Sequence, residues 1–67
     1  MITEEKIKQD FAARLDIASK RKNLPEKGRG KIIADILKIT PKAVSKWFNA
    51  ETLPTQANIY VLADFLG

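Results

Sequence analysis

The stretch IIADILKITPKAVSKWF, residues 32–48, decides how the rest of the chain is read. In its second half Lys42, Ser45 and Lys46, with Asn49 just beyond, recur at i, i+3, i+4 and i+7, while Val44, Trp47 and Phe48 repeat the helical spacing two residues out of step. Residues three or four apart share a helix face, so the segment predicts a short helix with one polar and one apolar stripe. Burying Trp47 and Phe48 together is worth several kcal/mol at about 25 cal/mol per Å², whereas burying Lys42 and Lys46 unpaired costs more than that. The lysine stripe must therefore face water. It holds two lysines, a serine, an asparagine and no acid.

The first half of the stretch places Ile33, Ala34 and Leu37 on one face, with Ile36 flanking, and predicts a second helix over about residues 30–37. Only Lys38, Ile39 and Thr40 separate the two helices. A turn this short keeps them from lying antiparallel; they are expected to cross at roughly 90–120°, leaving one edge of the third helix projecting from the surface. Thr40 followed by Pro41 is a strong helix start, because the threonine oxygen accepts a backbone N–H and proline gives up a donor that had no partner.

Outward from this pair, a first helix is expected from about Thr3 to Lys22. Thr3 is its N-cap, Glu4 and Glu5 sit at the positive end of the helix dipole, and Lys20, Arg21 and Lys22 at the negative end. The basic triplet could also touch a phosphate. The apolar stripe of this helix reads Ile7, Phe11, Leu15, Ala18. NLPEKGRG, residues 23–30, is a loop with Leu24 as its anchor to the core. After a second loop broken by Pro54, Thr55 caps a fourth helix ending at Gly67, with Ile59, Leu62, Ala63 and Leu66 expected to face inward. The reading is an all-α domain of four short helices spanning residues 1–67, without strand, repeat or low-complexity segment.

Sixty-seven residues with no cysteine and no histidine leave neither a disulfide framework, a thiolate metal site nor the commonest general base. No cofactor, metal or small-molecule substrate is expected. No apolar run approaches the roughly 18 residues of a membrane span, and MITEEKIKQD does not read as a secretory signal, so a cytoplasmic protein without membrane attachment is expected. The charge is uneven. Lys27, Arg29, Lys31, Lys38, Lys42 and Lys46 stand against Asp35 alone over residues 27–50, a net +5, while the whole chain carries +4. A polyanion footprint is expected in that middle segment.

The exposed stripe suits a DNA major groove. Lys42 and Lys46 supply mobile cationic donors, Ser45 donates or accepts, and Asn49 can bond a phosphate or an adenine edge. Thr40 and the free amides of the first turn can hold a phosphate. Pro41 and Ala43 can touch a thymine methyl group.

These residues carry a resemblance. IIADILKITPKAVSKWFNAETLP resembles the helix-turn-helix of the lambda-repressor-like family, bacterial and phage repressors with five helices as a rule. Ala34 falls at the small position where its two helices touch, and Ile33, Leu37, Ile39, Val44 and Trp47 fall at its apolar positions. KGRG followed by PKAVSKW is similar to repressors of temperate phages. The resemblance covers about residues 10–67, with the helix-turn-helix at about 30–49. It implies sequence-specific binding of double-stranded DNA by a transcriptional repressor in a bacterial host cell. Thr40, Pro41, Lys42, Ser45 and Lys46 map to base-reading positions, and Asn49 and Thr52 to backbone contacts. Lys27, Arg29, Lys31 and Lys38 of the basic segment are the remaining phosphate-binding candidates. It further implies a palindromic operator, a homodimer of the full-length protein, and a chain that is the N-terminal part of a longer repressor. Two positions depart from the family pattern. Lys38 stands where the family has glycine in the turn, and Gly30 where it often has a phosphate-binding glutamine, a role left to Arg29 or Lys31.

The alternative is an antitoxin-like helix-turn-helix whose chief partner is another protein, which the basic middle segment disfavours. An enzyme has little behind it. Ser45 and Lys46 are adjacent on a helix and do not face each other, so they make no catalytic pair.

Overall fold

Helix ends organise this molecule, and nearly all of them were readable. The computed structural model describes residues 1–67 and contains four helices and no strand: α1 (Glu4–Arg21), α2 (Arg29–Leu37), α3 (Pro41–Phe48) and α4 (Gln56–Leu66). Thr3 caps α1 by accepting the Lys6 N–H at 3.1 Å, Thr40 caps α3 by accepting the Ala43 N–H at 3.3 Å, and Thr55 caps α4 by accepting the Asn58 N–H at 3.3 Å. α2 alone starts without a side-chain cap. It begins one residue earlier than the periodicity predicts, because Gly28, at φ 107°, turns the chain and lends its carbonyl to the Lys31 and Ile32 N–H groups.

Three helices end on non-glycine residues in the left-handed region: Asn23 (φ 63°), Lys38 (φ 58°) and Ala50 (φ 60°). After α1 the Leu24 N–H reaches back to the Ser19 carbonyl and that of Asn23 to Lys20, both at 3.0 Å; after α3 the Glu51 N–H reaches Lys46 at 2.9 Å and that of Ala50 reaches Trp47 at 3.2 Å. Both are Schellman closures, which satisfy carbonyls that the helix leaves open. Leu24 then packs against the core, as its place in the loop predicts. Lys38 adopts the conformation that the family assigns to glycine, so the turn is kept and the strain of a side chain there is tolerated.

The core is one cluster: Leu15 from α1, Ile33 and Ala34 from α2, Val44 and Trp47 from α3, and Leu62 from α4. α3 packs most closely on α2 and then on α1, while α4 touches α2. Two inward stripes differ from expectation. On α1 the buried residues are Ala12, Leu15 and Ser19, with Phe11 and Ala18 half-buried and Ile7 44% exposed. The first turns of α1 carry Ile7 past the core, and the small side chains of Ala12 and Ser19 allow the close approach. On α4, Ile59 is 40% exposed and Ala63 is exposed, whereas Phe65 and Leu66 lie at the core's edge. The cause is an open apolar groove between α1 and α4, lined by Phe11, Leu15, Ala18, Ile59, Leu62, Ala63 and Leu66. No helix is long and apolar enough to cross a membrane.

Candidate nucleic-acid interface

Val44 (0% exposed) and Trp47 (4%) fix the inner side of α3, which leaves Lys42, Ser45, Lys46 and Asn49 in solvent on the other side. Thr40 and Pro41, at the start of the helix, are exposed as well. One helix of eight residues and its two caps therefore bring together six of the residues singled out in the sequence.

The polar groups on this face are partly pre-arranged. The Thr40 oxygen accepts the Ala43 N–H, so its own hydroxyl proton stays free to donate outward. Neither the Lys42 N–H nor the missing donor of Pro41 enters a backbone bond, which leaves an unpaired amide at the positive end of the helix. Asn49 donates from its side-chain amide to the Ser45 Oγ at a long 3.5 Å, which orients its carbonyl oxygen away as a free acceptor.

The flanking cations divide into two kinds. Lys27, Lys31 and Lys38 are exposed, as is Thr52 in the loop after α3. None of Lys27, Lys31, Lys38, Lys42 and Lys46 pairs with an acid; the ion pairs are Lys8–Glu4, Arg14–Asp10, Lys20–Asp16 and Arg29–Asp16, each involving α1. Five free lysines lie on or beside α2 and α3. A surface of unpaired cations with hydroxyl, amide and backbone donors, and no acid on α3, is able to hold phosphate oxygens and to meet the acceptor edges of bases.

Arg29 is placed differently from its neighbours. Its side chain is only 14% exposed, its Nη1 donates to Asp16 Oδ1 at 2.7 Å, and its guanidinium carbon lies 4.0 Å from the centre of the Phe48 ring. The Arg29 hydrogen bond, followed by that of Lys20, holds the Asp16 carboxyl below its ordinary value of 3.8. Sequence reading missed this contact. Asp16 and Arg29 are 13 residues apart across a loop, and no spacing rule links them. Lys22, read as part of a basic helix end, lies over the Phe65 ring at 5.5 Å and ties the end of α1 to α4.

A family model described as helix-turn-helix matches residues 32–67, from α2 through α4. The 26 kDa repressor protein of Escherichia phage HK022 is 41% identical to the chain over 66 residues, which is 98% of this chain and 28% of the phage protein. The chain thus spans a little over a quarter of the length of that relative. No solved structure matches it.

Proposed function

Since the chain belongs to the helix-turn-helix family of lambda-repressor-like proteins, we propose that residues 1–67 form one DNA-binding unit of a transcriptional repressor, with α3 lying in the major groove. The observation that carries this reading is the division of α3: Val44 and Trp47 are locked in the core while Lys42, Ser45, Lys46 and Asn49 stand free of any acid. Thr40, Pro41, Lys42, Ser45 and Lys46 read base edges; Lys27, Lys31, Lys38, Asn49 and Thr52 hold the backbone. Its partner is a palindromic operator in the cytoplasm of a bacterial host, bound by a homodimer of the full-length protein so that two copies of α3 enter successive major grooves about 34–36 Å apart.

The test is selection of bound sequences from a randomised duplex library, followed by titration of the winning duplex at two salt concentrations. One short motif, with a log–log salt slope of roughly 0.9 per neutralised phosphate, supports the reading. A weak, even affinity that salt alone abolishes would reduce the lysine face to a general polyanion surface and redirect attention to a protein partner.

A further inference from the structure

We propose that Arg29 acts as a positioning residue, which sets the rotational pose of α3 on the body of the protein through Asp16 and Phe48 rather than binding phosphate itself. The inference rests on the DNA-binding reading of α3, and it reassigns Arg29, which the sequence alone places among the phosphate-binding candidates.

α3 has only eight residues, so few side chains fix its roll about its own axis. Val44 and Trp47 hold it from one direction. Phe48 follows Trp47 by about 100° around the helix and is the last residue of α3, directly before Asn49 and two after Lys46. A contact on the Phe48 ring therefore restrains the roll from a second direction, at the end of the helix that carries Lys46 and Asn49.

The guanidinium of Arg29 supplies that contact at 4.0 Å, and it is itself held in place. Asp16 takes its Nη1 at 2.7 Å through Oδ1 and Lys20 at 3.1 Å through Oδ2, so both oxygens of a carboxylate fixed on the long α1 helix are occupied. One planar cation thus links α1, the first residue of α2 and the last residue of α3. A flat, delocalised guanidinium can stack and donate in its plane at once, which a lysine ammonium cannot. A phosphate would have to compete with a short charge-assisted hydrogen bond for a side chain that is largely covered. Both Asp16 and Arg29 lie before Ile32, where the helix-turn-helix match begins.

The experiment compares the wild-type chain with Arg29→Lys, Asp16→Asn and Phe48→Leu. Affinities for the selected duplex and for a scrambled duplex are measured at two salt concentrations, below each variant's melting temperature, and backbone amide spectra are recorded without DNA. The proposal expects all three variants to lower the ratio of selected to scrambled affinity, on the order of tenfold, as one well-made base contact is lost. The salt slope on the scrambled duplex stays unchanged, and the amides of Ser45, Lys46 and Asn49 shift without DNA present. Taking the ratio removes the general gain in affinity that loss of the Asp16 charge brings.

The proposal is overturned if Asp16→Asn strengthens binding with the ratio unchanged and Arg29→Lys leaves the ratio at its wild-type value. It is also overturned by unmoved α3 amides. A wild-type chain with no preference between the duplexes sinks the DNA reading itself, a result separate from wild-type preference that the variants leave intact.

Discussion

Lys46 and Trp47 are adjacent in the chain and serve opposite sides of α3: the indole is 4% exposed in the core, and the lysine stands in solvent without an acid partner. Core packing and solvent exposure thereby fall to neighbouring residues of one helical turn. They can be removed one at a time.

Trp47→Ala removes the largest side chain of a core with six main members. A loss of about 3–5 kcal/mol is expected, which is much of what a chain of this size has to lose. Denaturant unfolding followed by circular dichroism checks it. A folded, stable Trp47→Ala chain that failed only to bind DNA would show that the indole belongs to the interface.

Lys46→Ala should leave the unfolding curve within about 0.5 kcal/mol of wild type, as for an exposed side chain free of special contacts. Its affinity for the selected duplex should fall by about 1–3 kcal/mol, with relaxed preference at one base position. An even loss across sequences, with a shallower salt slope, would move Lys46 to the phosphate-binding set.

Lys38 and Ala50 both occupy left-handed backbone, at φ 58° and 60°. A side chain there costs roughly 1 kcal/mol relative to glycine, so Lys38→Gly and Ala50→Gly should each raise the melting temperature by about 4–8 °C. Only Lys38→Gly should also weaken DNA binding, because it alone removes a cation. Equal binding by both variants would take Lys38 out of the footprint.

Ser19 is fully buried, and its hydroxyl has no hydrogen-bond partner. Ser19→Ala removes an unsatisfied polar atom with almost no change in volume. A gain of up to about 1 kcal/mol is expected in thermal melting. A loss instead would show that the hydroxyl is satisfied in solution.

Asp16 gives a signature in acid. Its pKa is lowered by the Arg29 hydrogen bond and then by Lys20, so the stability from these contacts is fully present above its ordinary value of 3.8 and is lost as pH falls through the lowered pKa. Melting temperature should hold steady toward that value and decline below it. Asp16→Asn should start lower and flatten the decline; an unchanged acid limb would show that the Arg29 contact adds nothing to the fold.

The four helices were legible because their signals are local. Thr3, Thr40 and Thr55 each mark a start, and the adjacent Val44, Trp47 stripe gives the inner side of α3 without reference to any other element. The buried side of α1 was legible only in part: Phe11 and Leu15 lie where the periodicity puts them, but Ile7 satisfies it as well as Ala12 and Ser19 do, and only the position of α3 across α1 decides between them. The same holds for Ile59 and Ala63, whose exposure follows from the distance between α1 and α4. Arg29 reads in sequence like any cation beside a glycine, and its burial depends on an aspartate and a ring brought in by other helices.

Every ion pair in the molecule involves α1, while the lysines of α2, α3 and their loops have no acid partner. The surplus of +4 is therefore carried unevenly, by the segment that forms α2 and α3. In the field of a polyanion such a body turns as it diffuses, so that encounters begin with the unpaired lysines foremost. This orientation acts on the rate of arrival, ahead of any base contact, and it fades as added salt shortens the reach of the field.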